Sequence, residues 1–364
     1  MSQREALPGH AEVIPISGRR AAEEEAAPRP RCAAQTADGR ACRNYAAASG
    51  WCKVHEPPER GGVSFPAPES SDAPTPVVAA EQPEPIDLEE VIGAALALLR
   101  RRFTGDYHVD VYGFDRELSE QILAPLFRPL YRSWWRVRTI GLDNVPSEGG
   151  ALIVANHAGT LPFDALMTKL ALLDEHPAHR HLRELAADLA LRVPVIGPLA
   201  RKSGNTLAHN DDATRLLRAG ELVGVWPEGF KGVGKHYRDR YKLQRFGRGG
   251  FVEVGLRTGV PIIPVAIIGS EEIYPIIGNV RFLARLFGFP YFPITWQFPA
   301  LGPLGVVPLP SKWTIEFGTP IDTSNYGPEA AEDPMLVFDL TDRVRDTIQQ
   351  MLYRNLMGRR SIFF

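Results

Sequence analysis

Cysteine is scarce: three residues in 364, against 33 glycines and 32 prolines. Three thiols in one short segment cannot build the disulfide framework of a small secreted protein, so a reducing, cytosolic compartment is the better expectation. Long apolar runs are missing too. The best candidate, Val91 to Leu99, contains Gly93 and runs straight into Arg100, Arg101 and Arg102, whereas a bilayer-spanning helix needs about twenty apolar residues. The first thirty residues hold no apolar core ahead of a small-residue cleavage site, so no signal peptide is read. Charge of one sign is not in excess either. The formal net charge is −2, which disfavours a general grip on nucleic acid, and any anionic partner must be met by local placement of charge. What is present, 44% hydrophobic and 23% charged residues, is ordinary globular composition.

Four stretches differ in character. Residues 1–30 are rich in Ala, Glu, Arg and Pro without apolar periodicity and read as a disordered tail. Residues 31–57 form an island containing every cysteine. Residues 58–85 read as an extended proline-rich linker. The main domain is expected over residues 86–364, where basic and acidic groups number 32 and 31. Within it, strand-like runs at 137–142, 151–155, 222–226, 262–268 and 313–317 alternate with helical ones at 165–173, 211–219 and 249–258. That alternation predicts an α/β fold with a mixed, largely parallel central sheet flanked by helices.

Cys32, Cys42, Cys52 and His55 stand in C-x9-C-x9-C-x2-H spacing. Three thiolates and an imidazole suit a closed tetrahedral zinc site, which would replace the core that so short a segment cannot build. The alternative is three unliganded thiols in a tail. The pattern resembles small Cys3His zinc modules at the ends of otherwise unrelated bacterial proteins. A second group, His176, His179 and His181, lacks a helical i, i+4 pair and reads as a solvated loop or helix start.

The richest segment runs from Ala151 to Ala165. A buried strand ends at Asn156, which sets His157 at the carboxyl edge of the sheet, and Pro162 then opens a helix carrying Asp164. If Asp164 reaches back, it fixes the histidine tautomer and stabilises the imidazolium, making a general base with its orienter. The alternative is that Asp164 only caps the helix.

Asn156-His157 with Asp164, Trp226-Pro227-Glu228-Gly229-Phe230-Lys231, and Val260-Pro261-Ile262-Ile263-Pro264-Val265 together resemble, in order and spacing, the blocks of the glycerolipid acyltransferase family of the lysophosphatidate acyltransferase type. The resemblance covers roughly residues 136–321. It implies a His157/Asp164 base, and acceptor binding by Asn156, Glu228, Gly229, Lys231 and Pro264. Arg201 and Lys202 fall where the family places a basic residue for the acceptor's phosphate. Two departures mark a divergent branch: six residues rather than four separate His157 from Asp164, and Phe230-Lys231 replace Thr-Arg.

The reaction so implied moves an acyl group from a thioester, on coenzyme A or acyl carrier protein, to the hydroxyl of a lysophospholipid or related lipid alcohol. No cofactor is expected for catalysis, the zinc being structural. A lipid acceptor implies an anionic membrane surface at the inner face of the plasma membrane. Two segments suit docking: 231–248, with seven basic residues, one acidic, and Tyr237, Tyr241 and Phe246; and 281–299, rich in Phe and Leu. The competing reading of the whole chain is a non-catalytic lipid-binding or scaffold protein whose zinc module recruits an unknown protein partner.

Overall fold

In a computed structural model, residues 107–363 are described apart from Val195, Arg248 and Phe289, together with isolated positions between Gly93 and Gly105. The tail, the linker and the Cys32, Cys42, Cys52 and His55 group lie outside the described residues.

The described chain builds a seven-stranded sheet from β1 (Arg138–Ile140), β2 (Ala151–Ala155), β3 (Leu182–Ala186), β4 (Asn205–Leu207), β5 (Leu222–Val225), β6 (Ile262–Ile268) and β9 (Thr314–Phe317), with β7 (Ile276–Asn279) and β8 (Pro293–Thr295) forming a separate antiparallel pair. The order is β1-β9-β6-β2-β5-β3-β4. The pairs β6–β2, β2–β5, β5–β3, β3–β4 and β1–β9 are parallel, and β6–β9 is antiparallel. The sheet is thus mixed and mostly parallel, as expected from the alternation of strand-like and helical runs.

β2 and β6 are central because both are apolar throughout, as a strand covered on two faces must be. Their side chains divide by period two. Leu152 and Val154 of β2, with Ile262, Ala266 and Ile268 of β6, join one core. Ala151, Ile153 and Ala155, with Ile263, Val265 and Ile267, join the other. The first core is covered by α2 (Asn210–Arg218), α4 (Gly250–Thr258) and α5 (Pro334–Gly358). The second is covered by α1 (Phe163–Asp174) and by a helical run over residues 116–134 in which π-helical turns interrupt α-helix. Trp135 and Trp313, both buried, stack at 4.8 Å beneath it.

Parallel order has one consequence for the site. Residues that follow β2, β5 and β6 gather at the carboxyl edge of the sheet, and residues that precede β3, β4 and β5 gather at the opposite edge. No described helix is long and apolar enough to cross a membrane.

Candidate active site

β2 ends at Ala155, and the chain beyond it is held by side chains. Asn156 is fully buried; its Oδ1 accepts from the Ile267 N–H at 2.7 Å and its Nδ2 donates to the Ile267 carbonyl at 3.0 Å. An amide standing in for a peptide group closes the β2–β6 seam while the main chain turns out of the sheet. Both polar ends of the Asn156 side chain, expected from the sequence to bind the acceptor, are thus engaged by the Ile267 backbone. Asn156 fixes the point from which His157 leaves.

Asp164 lies in the first turn of α1, buried, with its Oδ2 2.7 Å from His157 Nδ1. The same oxygen accepts from the Ala158 N–H at 2.9 Å, and Oδ1 accepts from the Ala165 N–H at 2.9 Å. Gly159, at φ +82°, lets the six-residue loop fold back. The cap position belongs to Pro162, which makes no side-chain cap bond, so the carboxylate is free to face the histidine. With Asp164 on Nδ1, the proton sits there and the lone pair on Nε2. Nε2 has no partner among the described residues, and the ring is 16% exposed. Burial opposes charge on the ring, but the Asp164 carboxylate, with Glu228 and Glu184 further off, outweighs it and holds the imidazole above its usual range.

Glu228 is buried with both oxygens engaged inside the protein. Oε1 accepts from the His157 N–H at 3.0 Å, and Oε2 accepts from the Gln244 N–H at 2.6 Å. Glu228, expected from the sequence to bind the acceptor, thus grips the backbone of the histidine. Gly229 beside it is exposed, at φ +53° and ψ −143°, a conformation that favours glycine. Phe230 and Lys231 open the short helix α3 (Phe230–Val233) and are exposed. In α3, a Cβ on Gly232 would lie 2.7 Å from the His157 carbonyl oxygen, so this glycine permits the approach of the two loops.

Arg201 and Lys202 are elsewhere. They end the helix Ile196–Lys202 just before β4, at the edge of the sheet opposite His157, because β4 runs parallel to β2 through β3 and β5. The Lys202 carbonyl accepts from the Asp115 N–H there. Pro264 is buried within β6, opposite Val154 in register, and lies inside the sheet rather than in a cleft wall.

Three ionisable residues that sequence reasoning missed support the site. Lys169 of α1 donates to the Ser203 carbonyl at 2.9 Å and to Asn205 Oδ1 at 2.6 Å, and lies 3.2 Å from Glu184, pinning α1 and so Asp164 to the sheet. Lys235 and Glu271 are buried beside Glu228. The short-period sequence signal gives no hint of them, because each is a charged residue in a loop or helix whose burial only tertiary folding creates. Of the three histidines between α1 and β3, His176 is buried and hydrogen-bonded to the Val145 carbonyl, not solvated.

An apolar groove of about 440 Å³ opens beside the His157–Asp164 loop. Thr160 and Leu161 of that loop, Phe230, Tyr274, Tyr291 and Phe298 are among its walls. Tyr291 donates to the Thr160 carbonyl at 3.3 Å, and burial, with the Asp164 charge, pushes its hydroxyl up to about 12. Phe282, Leu286, Trp296, Leu301 and Leu304 are exposed, Trp296 and Leu304 being next in sequence to the groove residues Thr295 and Gly305. Of the aromatics read as interfacial in 231–248, however, Tyr241 and Phe246 are core residues at 3% and 1% exposure.

Comparison with known proteins adds the family. An uncharacterized protein of Mycobacterium tuberculosis is 59% identical over 280 residues, covering 77% of this chain and 78% of that one, and one from Mycobacterium leprae is 57% identical over 278 residues, 76% of each. The family model described as "Acyltransferase" matches residues 136–268. The chain belongs to the acyltransferase family. A Bos taurus protein described as a DGAT1/2-independent enzyme synthesizing storage lipids is 24% identical to this acyltransferase family member over 224 residues, 60% of each. The crystal structure of the 1-acyl-sn-glycerophosphate (LPA) acyltransferase PlsC from Thermotoga maritima matches with TM-score 0.45 and 16% identity, over 75% of this chain and 97% of that one. The family match in this acyltransferase ends at residue 268; Glu271 and the groove wall from Tyr274 onward lie beyond it.

Proposed function

We propose that the protein is an O-acyltransferase that moves a fatty acyl group from a thioester, acyl-CoA or acyl-carrier protein, to the hydroxyl of a lysophospholipid or related lipid alcohol. The observation that carries this reading is the 2.7 Å contact of Asp164 with His157 Nδ1, with Nε2 unpartnered among the described residues and an apolar groove beside the His157–Asp164 loop.

An alcohol is far too weak an acid to attack a thioester unaided at neutral pH, so its proton must leave as the new bond forms. His157 Nε2 takes that proton while the hydroxyl oxygen attacks the thioester carbonyl. The tetrahedral species collapses with breakage of the C–S bond, and the departing thiolate takes the proton back from the imidazolium. Asp164 stabilises the ring while it is charged. The domain's lack of cysteine and of a G-x-S-x-G elbow suits direct transfer without an acyl-enzyme. The groove, with a volume in the range of ligand sites, takes the acyl chain.

The acceptor's headgroup is not met by Arg201 and Lys202, which sit at the far edge of the sheet. Lys231 and Gly229 are the exposed members of the expected set near His157. This arrangement favours a lipid alcohol held by its apolar part, in line with the storage-lipid wording attached to the bovine relative. The protein then works at an anionic membrane surface, docked by the exposed apolar side chains, and residues 31–57 bind one structural zinc through Cys32, Cys42, Cys52 and His55. The test is to incubate purified protein with labelled acyl-CoA and a panel of lysophospholipids, diacylglycerol and fatty alcohols, and to resolve the products. A labelled ester is expected with at least one acceptor; no ester with any acceptor from either acyl-CoA or acyl-carrier protein would favour the scaffold reading.

A further inference from the structure

Glu228 is unusual among the site residues in that its charge has a buried counter-ion. Lys235 Nζ lies 3.4 Å from Glu228 Oε2 and 3.2 Å from Glu271 Oε1, with the three side chains 4%, 0% and 5% exposed. Taking a lysine and two carboxylates out of water costs several kcal/mol per ion, so such a cluster is a poor device for stability alone. Its arrangement has a direction. Glu228 uses one oxygen on the His157 N–H and the other on the Gln244 N–H, and both bonds require the carboxylate to accept.

The groups that bear on this pair come from several elements. Glu228 follows β5, Lys235 follows α3, and Glu271 lies in the turn Ser270–Glu272 after β6. The backbone of Tyr241 also meets Glu271, while the neighbouring Glu272 is bonded to Arg359 at 2.7 Å. His157 completes the set. Burial pushes the Glu271 carboxyl up to about 7, with Lys235 pulling the other way. Without the lysine, two carboxylates would share a dry pocket, and one of them would keep a proton.

Resting on the acyltransfer reading, we propose that Lys235 is a positioning residue for the His157 base: its ammonium bridges the buried Glu228 and Glu271 carboxylates, so that Glu228 stays where it holds the backbone of His157. Lys235 touches no reacting atom. It acts through Glu228, and Glu271 sets how much depends on it.

The experiment compares full-length wild type with Lys235→Met, Lys235→Arg and the double variant Lys235→Met/Glu271→Gln. Two things are read: kcat and KM for acyl-CoA and the lipid alcohol, and amide exchange at His157 in protein labelled with ¹⁵N-histidine. In Lys235→Met, kcat is expected to fall about tenfold or more with both KM values within about twofold, since Glu228 and Glu271 now repel and Glu228 loosens its hold on the His157 N–H. The His157 amide exchanges faster. Lys235→Arg, which keeps the charge, retains most of kcat. The double variant removes the competing acid and is expected to recover about fivefold over Lys235→Met. A purely structural lysine would show no such rescue, and that result overturns the proposal, as does an unchanged His157 amide. Should Lys235→Met fail to fold, the same amide and kinetic readings on Lys235→Arg and on the double variant decide. A wild type inactive with every donor and acceptor would defeat the acyltransfer reading, while the amide readout would still decide whether Lys235 holds His157 through Glu228.

Discussion

The Asp164 carboxylate accepts from three groups, the His157 ring and the N–H groups of Ala158 and Ala165, and is buried while doing so. Asp164→Asn keeps its shape but offers one acceptor oxygen and an NH2 that must face a donor. The change is expected to cost about 1–3 kcal/mol of stability and at least about a hundredfold in turnover, as loss of the orienting charge does in other triads. Thermal melting and kcat on one preparation check both. The pH dependence follows from the sign of the histidine shift. His157 works only when neutral, and its imidazole is held above the usual value, so kcat/KM should rise with pH through a midpoint above about 6.5. In Asp164→Asn the chief raising influence is gone and the midpoint should move down. A midpoint unchanged by that substitution would show that another group governs the acid limb.

At the level of elements, the site exists because three strand ends and their following loops meet at one edge. β2 supplies His157, β5 supplies Glu228, and β6 supplies both the Asn156 pairing and Glu271. Gly232 of α3 is the tightest joint between the first two. Gly232→Ala would put a methyl 2.7 Å from the His157 carbonyl oxygen and 2.7 Å from Glu228 Cβ, so the loops must part. A fall in turnover of about tenfold or more with the protein still folded is expected, following the cost of small misplacements at reacting centres, and kinetics with circular dichroism will measure it. Much of this was legible in the sequence. β2 and β6 announced themselves as unbroken apolar runs, and the Asn156-His157 and Glu228-Gly229 motifs fell at strand ends. β3 was not found, because Arg183 and Glu184 interrupt its apolar pattern; nor was β4, which is three residues long. Where Arg201 and Lys202 lie relative to His157 could not be read, because their distance along the chain says nothing about which edge of the sheet they reach until the direction of β4 is known.

For the molecule as a whole, exposed apolar side chains stand at Phe282, Leu286, Trp296, Leu301 and Leu304. The cations that remain exposed in 231–248, Lys231, Arg238, Lys242 and Arg245 among them, are separated from aromatics that turn inward, a division a linear reading of the segment could not make. Binding to vesicles is expected to require anionic lipid and to weaken with salt, and Phe282→Ser with Leu286→Ser to reduce it; co-sedimentation with neutral and anionic vesicles is the check. The first 85 residues stand apart in composition. Deleting them should leave acyl transfer largely unchanged, and the intact chain purified without chelator should carry one zinc, measurable by elemental analysis. The central claim concerns one nitrogen. Thiol release from acyl-CoA that depends on an added lipid alcohol, measured for wild type and His157→Ala side by side, tests it most directly: release should occur in the wild type and fall to less than about a hundredth in the variant, whereas equal rates would contradict the assignment of His157 as the base.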